Sequence, residues 1–441
     1  MITIVSDIHL TDGSSGDTIN ERAFHVFIES LRDQVFNACL RERDGDPEFV
    51  PIERCDIILL GDIFDVIRSD KWIKNKIRPW GENDKIADVV KDITTDIITN
   101  NSNALQYLSD LQGKITIRDA NEPNSKTVKI PLYIHYYTGN HDWFYHVPGT
   151  KYNDIRQIVV DAFALANNPK ESFPHVISES SDDLKKQLKE HRVYIQHGDI
   201  KDEFNYEGDK GRDHSSLGDC IVVELLNRFP QKVSEKLGLD PDNSVVKALK
   251  EIDNVRPLMS IPEWIDGILI RYASPSVRKE AMKVWDECVD NFLDTSFVKD
   301  HDRPWKWDTV DTLESALRVT RTLSIRTLSK FGNRLKKYVN GESYVKYAIE
   351  EEVIRKRMSD YVVYGHTHRP EIIPIDIIPT EYGFVDQIYF NTGTWRRVHQ
   401  RCKYDEDSLE FVKYHVMTFH TIYKNDERNG RKYESWTGQL G

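Results

Sequence analysis

The sequence has few cysteines, and their spacing excludes two kinds of site. Five cysteines occur in 441 residues, they lie far apart, and no CxxC pair is present. An odd number of scattered cysteines indicates neither a disulfide framework nor a cysteine-ligated zinc site. We therefore expect reduced thiols that pack with other side chains.

Long apolar runs and excess positive charge are missing as well. No stretch approaches the roughly 18 residues that span a bilayer, and the N-terminus lacks a basic segment with a cleavage site. We therefore predict no transmembrane segment and a cytoplasmic location. The formal net charge of −12 argues against unaided, non-specific adhesion to nucleic acid or to an anionic membrane.

What the chain does contain is enough apolar side chain for a packed core, with 39% hydrophobic residues. Short apolar runs predict buried strands at 2–5, 56–60, 132–138, 192–196 and 360–364. Helical patterns such as 21–41 and 182–190 lie between them, so the alternation predicts a layered α/β fold. Residues 115–130 predict a hairpin at a sheet edge, while 387–391 and 411–423 predict that the chain finishes as sheet.

The spacing of the predicted strands is uneven. Residues 198–365 separate His197 from His366, which is too long for a loop, and they contain mostly helical patterns. We therefore predict a helical insertion, or cap, at 204–338 within a catalytic domain formed by 1–203 and 339–424. Residues 425–441 form a polar C-terminal tail that we expect to be loose.

Each of the five predicted strands ends in residues that can bind a metal ion. These candidate ligands are Asp7, His9, Asp62, Asn140, His197, His366 and His368. Because strand ends of an α/β sheet converge at one edge, we expect the seven side chains to form one site. Imidazole, carboxylate and amide oxygen without thiolate suit manganese, iron, zinc or nickel. Seven ligands exceed the need of one ion, so we predict two divalent metal ions, manganese first.

Taken singly, each motif is more often a structural turn, but the five in this order resemble the calcineurin-like metallophosphoesterases. Their signature of D-x-H, G-D-x-x-D, G-N-H-D/E, H and G-H-x-H stands here at 7–9, 61–65, 139–142, 197 and 365–368. The resemblance implies a layered metallophosphoesterase sandwich with helices outside the sheets. It also implies one metal on Asp7, His9, Asp62 and His368, and a second on Asp62, Asn140, His197 and His366.

The resemblance also assigns catalytic and supporting residues. It implies that His141 protonates the leaving oxygen and that Asp142 orients His141. We expect Asp65 and Asp199 either to support ligand imidazoles or simply to cap turns. The candidate substrate contacts are Arg212, His214, Arg369, Arg396 and Arg397, with a solvated loop or surface salt bridges as the alternative.

The expected function is hydrolysis of a phosphodiester or pyrophosphate bond by a hydroxide that bridges two metal ions. Residues 365–370 and the charged segment after His-Gly-Asp resemble the branch that contains UDP-2,3-diacylglucosamine pyrophosphohydrolases, which insert a helical cap at that place. Here the insertion is much longer, and His141 stands where that branch commonly has arginine. The alternatives are a DNA or RNA nuclease of the same superfamily and a non-catalytic scaffold. The expected partner is a phosphorylated substrate, with a nucleotide and nucleic acid among the candidates.

One segment of the predicted cap is strongly basic. Residues 317–338 contain seven basic residues and no Asp or Glu. On a helix, Arg326, Lys330, Arg334 and Lys337 would gather on one face. We predict either a contact with a polyanion or a solvated face that balances the acidic remainder of the protein.

Overall fold

The computed structural model describes residues 1–16, 19, 21–43, 46–122, 124, 126–302, 310, 313–314, 317, 343–380, 383–402 and 410–439. The predicted basic face between 318 and 338 lies outside the described residues, so the polyanion contact stays a prediction.

Fourteen strands are described. They are β1 Ile2–Val5, β2 Leu40–Arg43, β3 Asp46–Phe49, β4 Cys55–Leu60, β5 Lys114–Arg118, β6 Thr127–Tyr137, β7 Val193–Ile195, β8 Val255–Arg256, β9 Tyr361–Tyr364, β10 Pro370–Thr380, β11 Gly383–Thr392, β12 Arg397–Arg401, β13 Phe411–Ile422 and β14 Tyr433–Gln439. All five strands predicted from apolar runs are present, as β1, β4, β6, β7 and β9, although most of their ends are shifted.

The described α-helices lie between strands, singly or in runs, in the part of the chain before β9. They are α1 Glu21–Ala38, α2 Lys71–Lys74, α3 Ile86–Asn100, α4 Ser102–Ser109, α5 Thr150–Phe163, α6 Asp182–Glu190, α7 Leu217–Cys220, α8 Arg228–Leu237, α9 Ser244–Leu249, α10 Ile261–Tyr272, α11 Pro275–Leu293, α12 Ser296–His301, α13 Val345–Glu350 and α14 Glu352–Arg355. A π-helical segment, Ile221–Asn227, joins α7 to α8. None of the helices in the described ranges is long and apolar enough to cross a membrane.

Two sheets form the centre of the molecule. The larger has the order β5-β6-β4-β1-β13-β12-β8, with β14 paired to β13, and the smaller has the order β10-β11-β9-β7. Strands β1, β4 and β6 are parallel to one another, as are β7, β9 and β11. The strands that are followed by candidate ligands therefore run in the same direction within each sheet, and their carboxyl ends lie at the same edge.

The two sheets share one apolar core. Alternate residues of β1 (Ile2, Ile4), β9 (Tyr361, Val363) and β11 (Ile388, Phe390) belong to a single buried cluster, as the two-residue period of a strand requires. On its opposite face the larger sheet packs against helix α1, and the smaller packs against α13 and α14. The fold is therefore mixed α/β, which agrees with the predicted α/β class.

The segment predicted as an insertion carries α7 to α12 and also contributes a strand. Val255 and Arg256 of β8 pair in parallel with His399 and Gln400 of β12. Buried side chains of this segment, among them Trp285, belong to the same core as the larger sheet. The pairing brings Arg256 to the edge of the sheet that carries the candidate ligands.

Two expectations at the sheet edges have different outcomes. The hairpin at 115–130 is confirmed, because β5 and β6 pair antiparallel at the edge of the larger sheet. The expectation of a loose C-terminal tail was wrong, because β14 pairs along β13 and Trp436 stacks on Phe419 with ring centroids 5.3 Å apart. Aromatic side chains thus anchor a segment whose composition is otherwise polar.

Candidate metal centre

The parallel strand ends bring the predicted ligands together from both sheets. Asp7, Asp62 and Asn140 follow β1, β4 and β6 of the larger sheet, whereas His197 and His366 follow β7 and β9 of the smaller one. The backbone N–H of His366 donates to both carboxylate oxygens of Asp7, at 3.1 and 2.9 Å. The two sheets therefore meet at the candidate site.

The backbone at this site is unusual. Left-handed φ angles occur at Asp7 (50°), His9 (53°), Asp62 (54°), His366 (66°) and His368 (57°). For residues other than glycine this conformation costs about 1–2 kcal/mol each, so it persists where the surroundings impose it and clusters at functional sites. The turns aim these side chains inward from the strand ends.

Glycine is required beside two of the ligands. A Cβ at Gly61, which has a φ of 82°, would lie 2.6 Å from Nδ1 of His197. A Cβ at Gly365 would lie 2.5 Å from Oδ2 of Asp7. These glycines allow backbone and ligand side chains to approach closely.

One group of ligand atoms consists of Asp7, His9 and His368. The Nε2 atoms of His9 and His368 are 2.9 Å apart, and Nε2 of His368 lies 3.2 Å from Oδ1 of Asp7. All three side chains are buried. Their donor atoms are close enough together to hold one cation.

A second group consists of Asp62, His197 and His366. The Nδ1–H of His197 donates to the carbonyl of Leu60 at 2.8 Å, which leaves the lone pair of Nε2 facing Oδ2 of Asp62 at 3.2 Å. Two acceptors at this distance need a cation or a proton between them. Burial would lower the pKa of His197, but Asp62 and Asp7 raise it to about 10, so the local field strongly favours positive charge.

Asn140 presents its amide oxygen in the way a ligand would. Its Nδ2 donates to Oδ1 of Asn205 at 3.2 Å. Its Oδ1 and the Nε2 of His197 are both buried, and within the described ranges neither has a hydrogen-bond partner. Unpartnered buried acceptors are costly unless something satisfies them, and a divalent cation would do so. The residues present therefore fit a metal centre.

His141 lies beside the ligands but is supported by a different acid from the one we expected. Its backbone N–H donates to Asp62 at 2.8 Å, and its Nδ1 lies 2.6 Å from Oδ1 of Asp65. Burial would lower the pKa of His141, but Asp65 and Asp62 raise it to about 9. Oδ2 of Asp65 also lies 3.4 Å from Nδ1 of His9, but within the described ranges this nitrogen has no hydrogen-bond partner, so the bond that Asp65 makes to an imidazole is the one to His141.

Asp142 holds backbone rather than His141. It accepts hydrogen bonds from the N–H groups of Gly139 and Ile63, at 2.7 and 2.9 Å, and from the hydroxyl of Tyr136 at 2.6 Å. Burial, together with the Asp62 carboxylate, raises the pKa of Asp142 to about 6. The expectation that Asp142 orients His141 was therefore wrong, because its carboxylate is already used to fix the turns after β4 and β6.

The remaining acidic and basic candidates separate into buried pairs and surface residues. Asp199 pairs with Arg212, whereas we expected it to pair with a ligand imidazole. The ring of His197 instead donates to the carbonyl of Leu60. Arg396 is buried between Asp65 and Asp253, at 3.0 and 2.9 Å. The outer residues His214, Arg369 and Arg397 are exposed, and Arg397 lies 4.0 Å from Glu251.

Two residues at the site were not predicted from the sequence. Oδ2 of Asp202 lies 3.1 Å from Nε2 of His366, and the only sequence signal is that Asp202 follows the His-Gly-Asp motif by three residues. Nη2 of Arg256 donates to Nδ1 of His368 at 2.8 Å. Arg256 belongs to the predicted cap, and no motif marks it.

A prominent groove in the structure does not coincide with this cluster. It has a volume of about 820 Å³ and is lined by residues such as Phe384, Arg431 and Trp436. None of the seven candidate ligands lines it. The groove therefore lies apart from the candidate site, which is marked by the chemistry of its buried side chains and not by the size of a cavity.

A scan against models of known protein families found no match for this chain, and a search of curated proteins found none either. The family resemblance of the five motifs therefore stays a prediction that rests on the residues and on the cluster they form.

Proposed function

We propose that the chain is a metallophosphoesterase of the calcineurin-like class with a layered sandwich fold. Within that class, we propose that it hydrolyses a phosphodiester or pyrophosphate bond. The observation that carries the proposal is the convergence of Asp7, Asp62 and His197 with the other candidate ligands where the two sheets meet. Within the described ranges, Oδ1 of Asn140 and Nε2 of His197 are buried there without hydrogen-bond partners.

The proposed ligand sets are those implied by the motif resemblance, with Asp62 shared between them. Two divalent ions there would supply an activated water and neutralise charge that develops on the phosphoryl oxygens. The chain's own contribution is to hold the ligands rigidly, through bonds such as that from His197 to the Leu60 carbonyl.

We assign the leaving-group proton to His141. Asp65 fixes Nδ1 of this ring, so a proton on Nε2 remains for transfer to the departing oxygen. His141 lies in T-shaped contact with the ring of His9, with centroids 4.7 Å apart, which places it next to the ligands.

Arg256 is our candidate for holding the substrate phosphate. When a neutral imidazole binds a cation, one ring nitrogen holds the cation and the other carries the proton. Nδ1 of His368 would therefore be either protonated or bound to the cation. In both cases Nδ1 of His368 would no longer accept from Arg256, so Nη2 of the guanidinium would become available at the site, while Nη1 stays bonded to the carbonyls of Asp253 and Val255. An arginine donor available there suits binding of phosphate oxygens.

We expect Arg256→Gln to lower kcat/KM for a phosphate ester by roughly 10–100-fold, which is the effect typical of losing hydrogen bonds that involve a charged group. Metal content should be unchanged. The control is Arg271→Gln, which removes an exposed arginine of the same inserted segment. If Arg256→Gln loses metal but keeps normal kcat/KM per metal bound, Arg256 only supports His368.

We also expect two metal ions per chain in protein purified with manganese. Anomalous scattering near the manganese edge should give two peaks that share Asp62. A single peak, with His197 and His366 turned away from it, would contradict the dinuclear centre.

A substrate panel tests the function itself. Manganese-loaded protein would be assayed against bis-p-nitrophenyl phosphate, nucleotides, a nucleotide-linked pyrophosphate, and single- and double-stranded DNA. We expect turnover of a diester or pyrophosphate. Turnover of DNA alone would favour the nuclease alternative, and no turnover by metal-loaded protein would favour the scaffold.

A further inference from the structure

A second histidine and carboxylate cluster lies outside the seven predicted ligands. It consists of His146, His175 and Glu179, whose donor atoms lie within 4.8 Å of one another. His146 follows the 3-10 turn Trp143–Tyr145, and Glu179 ends the 3-10 turn Ile177–Glu179. None of these residues belongs to the five motifs.

Two of the three distances within the cluster are near those of a metal site. Nε2 of His146 lies 3.4 Å from Oε2 of Glu179, and Nδ1 of His175 lies 2.9 Å from the same oxygen. Tetrahedral zinc with bonds of about 2.0–2.1 Å separates its ligand atoms by roughly 3.3 Å. The first distance already fits, and the second requires only a small opening of the hydrogen bond.

The cluster is also supported from outside, as metal-binding histidines usually are. Nδ1 of His146 lies 2.6 Å from Oδ1 of Asp213, which directs Nε2 toward Glu179. A carboxylate on the far nitrogen of a ligand histidine fixes its tautomer and raises its basicity. The backbone N–H of His175 donates to Oε2 of Glu179 at 3.0 Å and holds that carboxylate in place.

Burial and charge agree with a cation at this position. The side chains of His146 and His175 are 16% and 13% exposed, while Glu179 is 36% exposed, so water can complete the coordination from the open side. Burial would lower the pKa of His146, but Asp213 and Glu179 raise it to about 9. Two carboxylates thus favour positive charge at His146, and a cation that binds there displaces a proton.

We propose that His146, His175 and Glu179 form an additional zinc-type metal site, with Asp213 as the carboxylate that positions His146. This inference goes beyond the proposed function and does not depend on it. A bound ion would connect the turn after the third motif to the segment before α6. Through its contact with His146, Asp213 would connect the segment after the fourth motif to the same site. The ion would thereby brace the loops that carry His141 and His197.

The test is a zinc titration of full-length protein from which metal has been removed with a chelator, followed by desalting and zinc quantification. We expect His175→Ala and Glu179→Gln each to bind one ion fewer than the parent. Asp213→Asn should keep the ion with roughly 10–100-fold weaker affinity. Thermal melting checks that each variant is folded, and Glu179→Gln preserves side-chain size.

The control is His25→Ala, which removes an exposed histidine of α1 and should bind as many ions as the parent. The variants leave the seven motif ligands intact, so the difference counts one site whether or not the main centre is dinuclear. Equal stoichiometry and affinity in the parent, His175→Ala and Glu179→Gln would overturn the proposal and reduce the cluster to a hydrogen-bonded ion pair.

Discussion

Asp62→Asn should abolish hydrolysis, with a loss of at least roughly 10³-fold, because ligand removal should exceed the 10–100-fold typical of groups that only support a ligand. Asp62 is buried, and its Oδ2 faces Nε2 of His197 at 3.2 Å. In the proposed centre it is the one side chain shared by both ions. The substitution should therefore lower the occupancy of both, which metal analysis after desalting would measure alongside turnover.

The same substitution should leave the fold intact. Asparagine keeps an oxygen that can accept from the backbone N–H of His141, the bond made at 2.8 Å by Oδ1 of Asp62. Asp161→Asn, an exposed change on α5, serves as the control for loss of one negative charge. Full metal content and turnover in Asp62→Asn would remove Asp62 from the centre and with it the shared-ligand arrangement.

The sequence predicted the convergence of the candidate ligands where their positions follow directly from strand ends. The parallel strands β1, β4 and β6 each end in a candidate ligand, and this follows from local pattern because apolar runs mark strands and their ends share an edge. Asp7 and Asp62 could therefore be placed near each other from the sequence alone. The α/β class followed from the same alternation.

Contacts that depend on packing between distant segments could not be predicted in this way. Arg256 reaches His368 only because a two-residue strand of the inserted segment pairs with β12, and no periodicity marks so short a strand. The choice of Asp65 rather than Asp142 as the partner of His141 depends on how the turns after β4 and β6 face each other. Sequence spacing placed both acids correctly near the site but could not distinguish their contacts.

The packing of Trp436 on Phe419 illustrates the same limit at a sheet edge. Composition describes the C-terminal segment as polar, yet pairing with β13 supplies hydrogen bonds that composition does not register. The local sequence pattern predicts a strand or helix when the residues of that segment specify it. It fails when the segment becomes a strand because it pairs with a neighbouring strand.

His141→Ala should keep the metal ions and lower turnover by roughly 10²–10⁴-fold, the usual contribution of a positioned general acid. The ring is held by Asp65 at 2.6 Å and lies outside the two proposed ligand sets, so its loss should not empty the centre. The loss of rate should shrink for p-nitrophenyl esters, whose leaving oxygen departs without a proton, and be largest for alkyl esters.

Comparing the two ester types separates acid catalysis from a structural role, because a general disturbance of the site would slow both equally. His25→Ala, on the exposed face of α1, controls for removal of a histidine ring. Asp65→Asn should reproduce the same dependence on the leaving group more weakly, since it removes the acid that fixes the ring but leaves the ring in place. An unchanged rate on a poor leaving group in His141→Ala would exclude His141 as the proton donor and would leave water as the candidate donor.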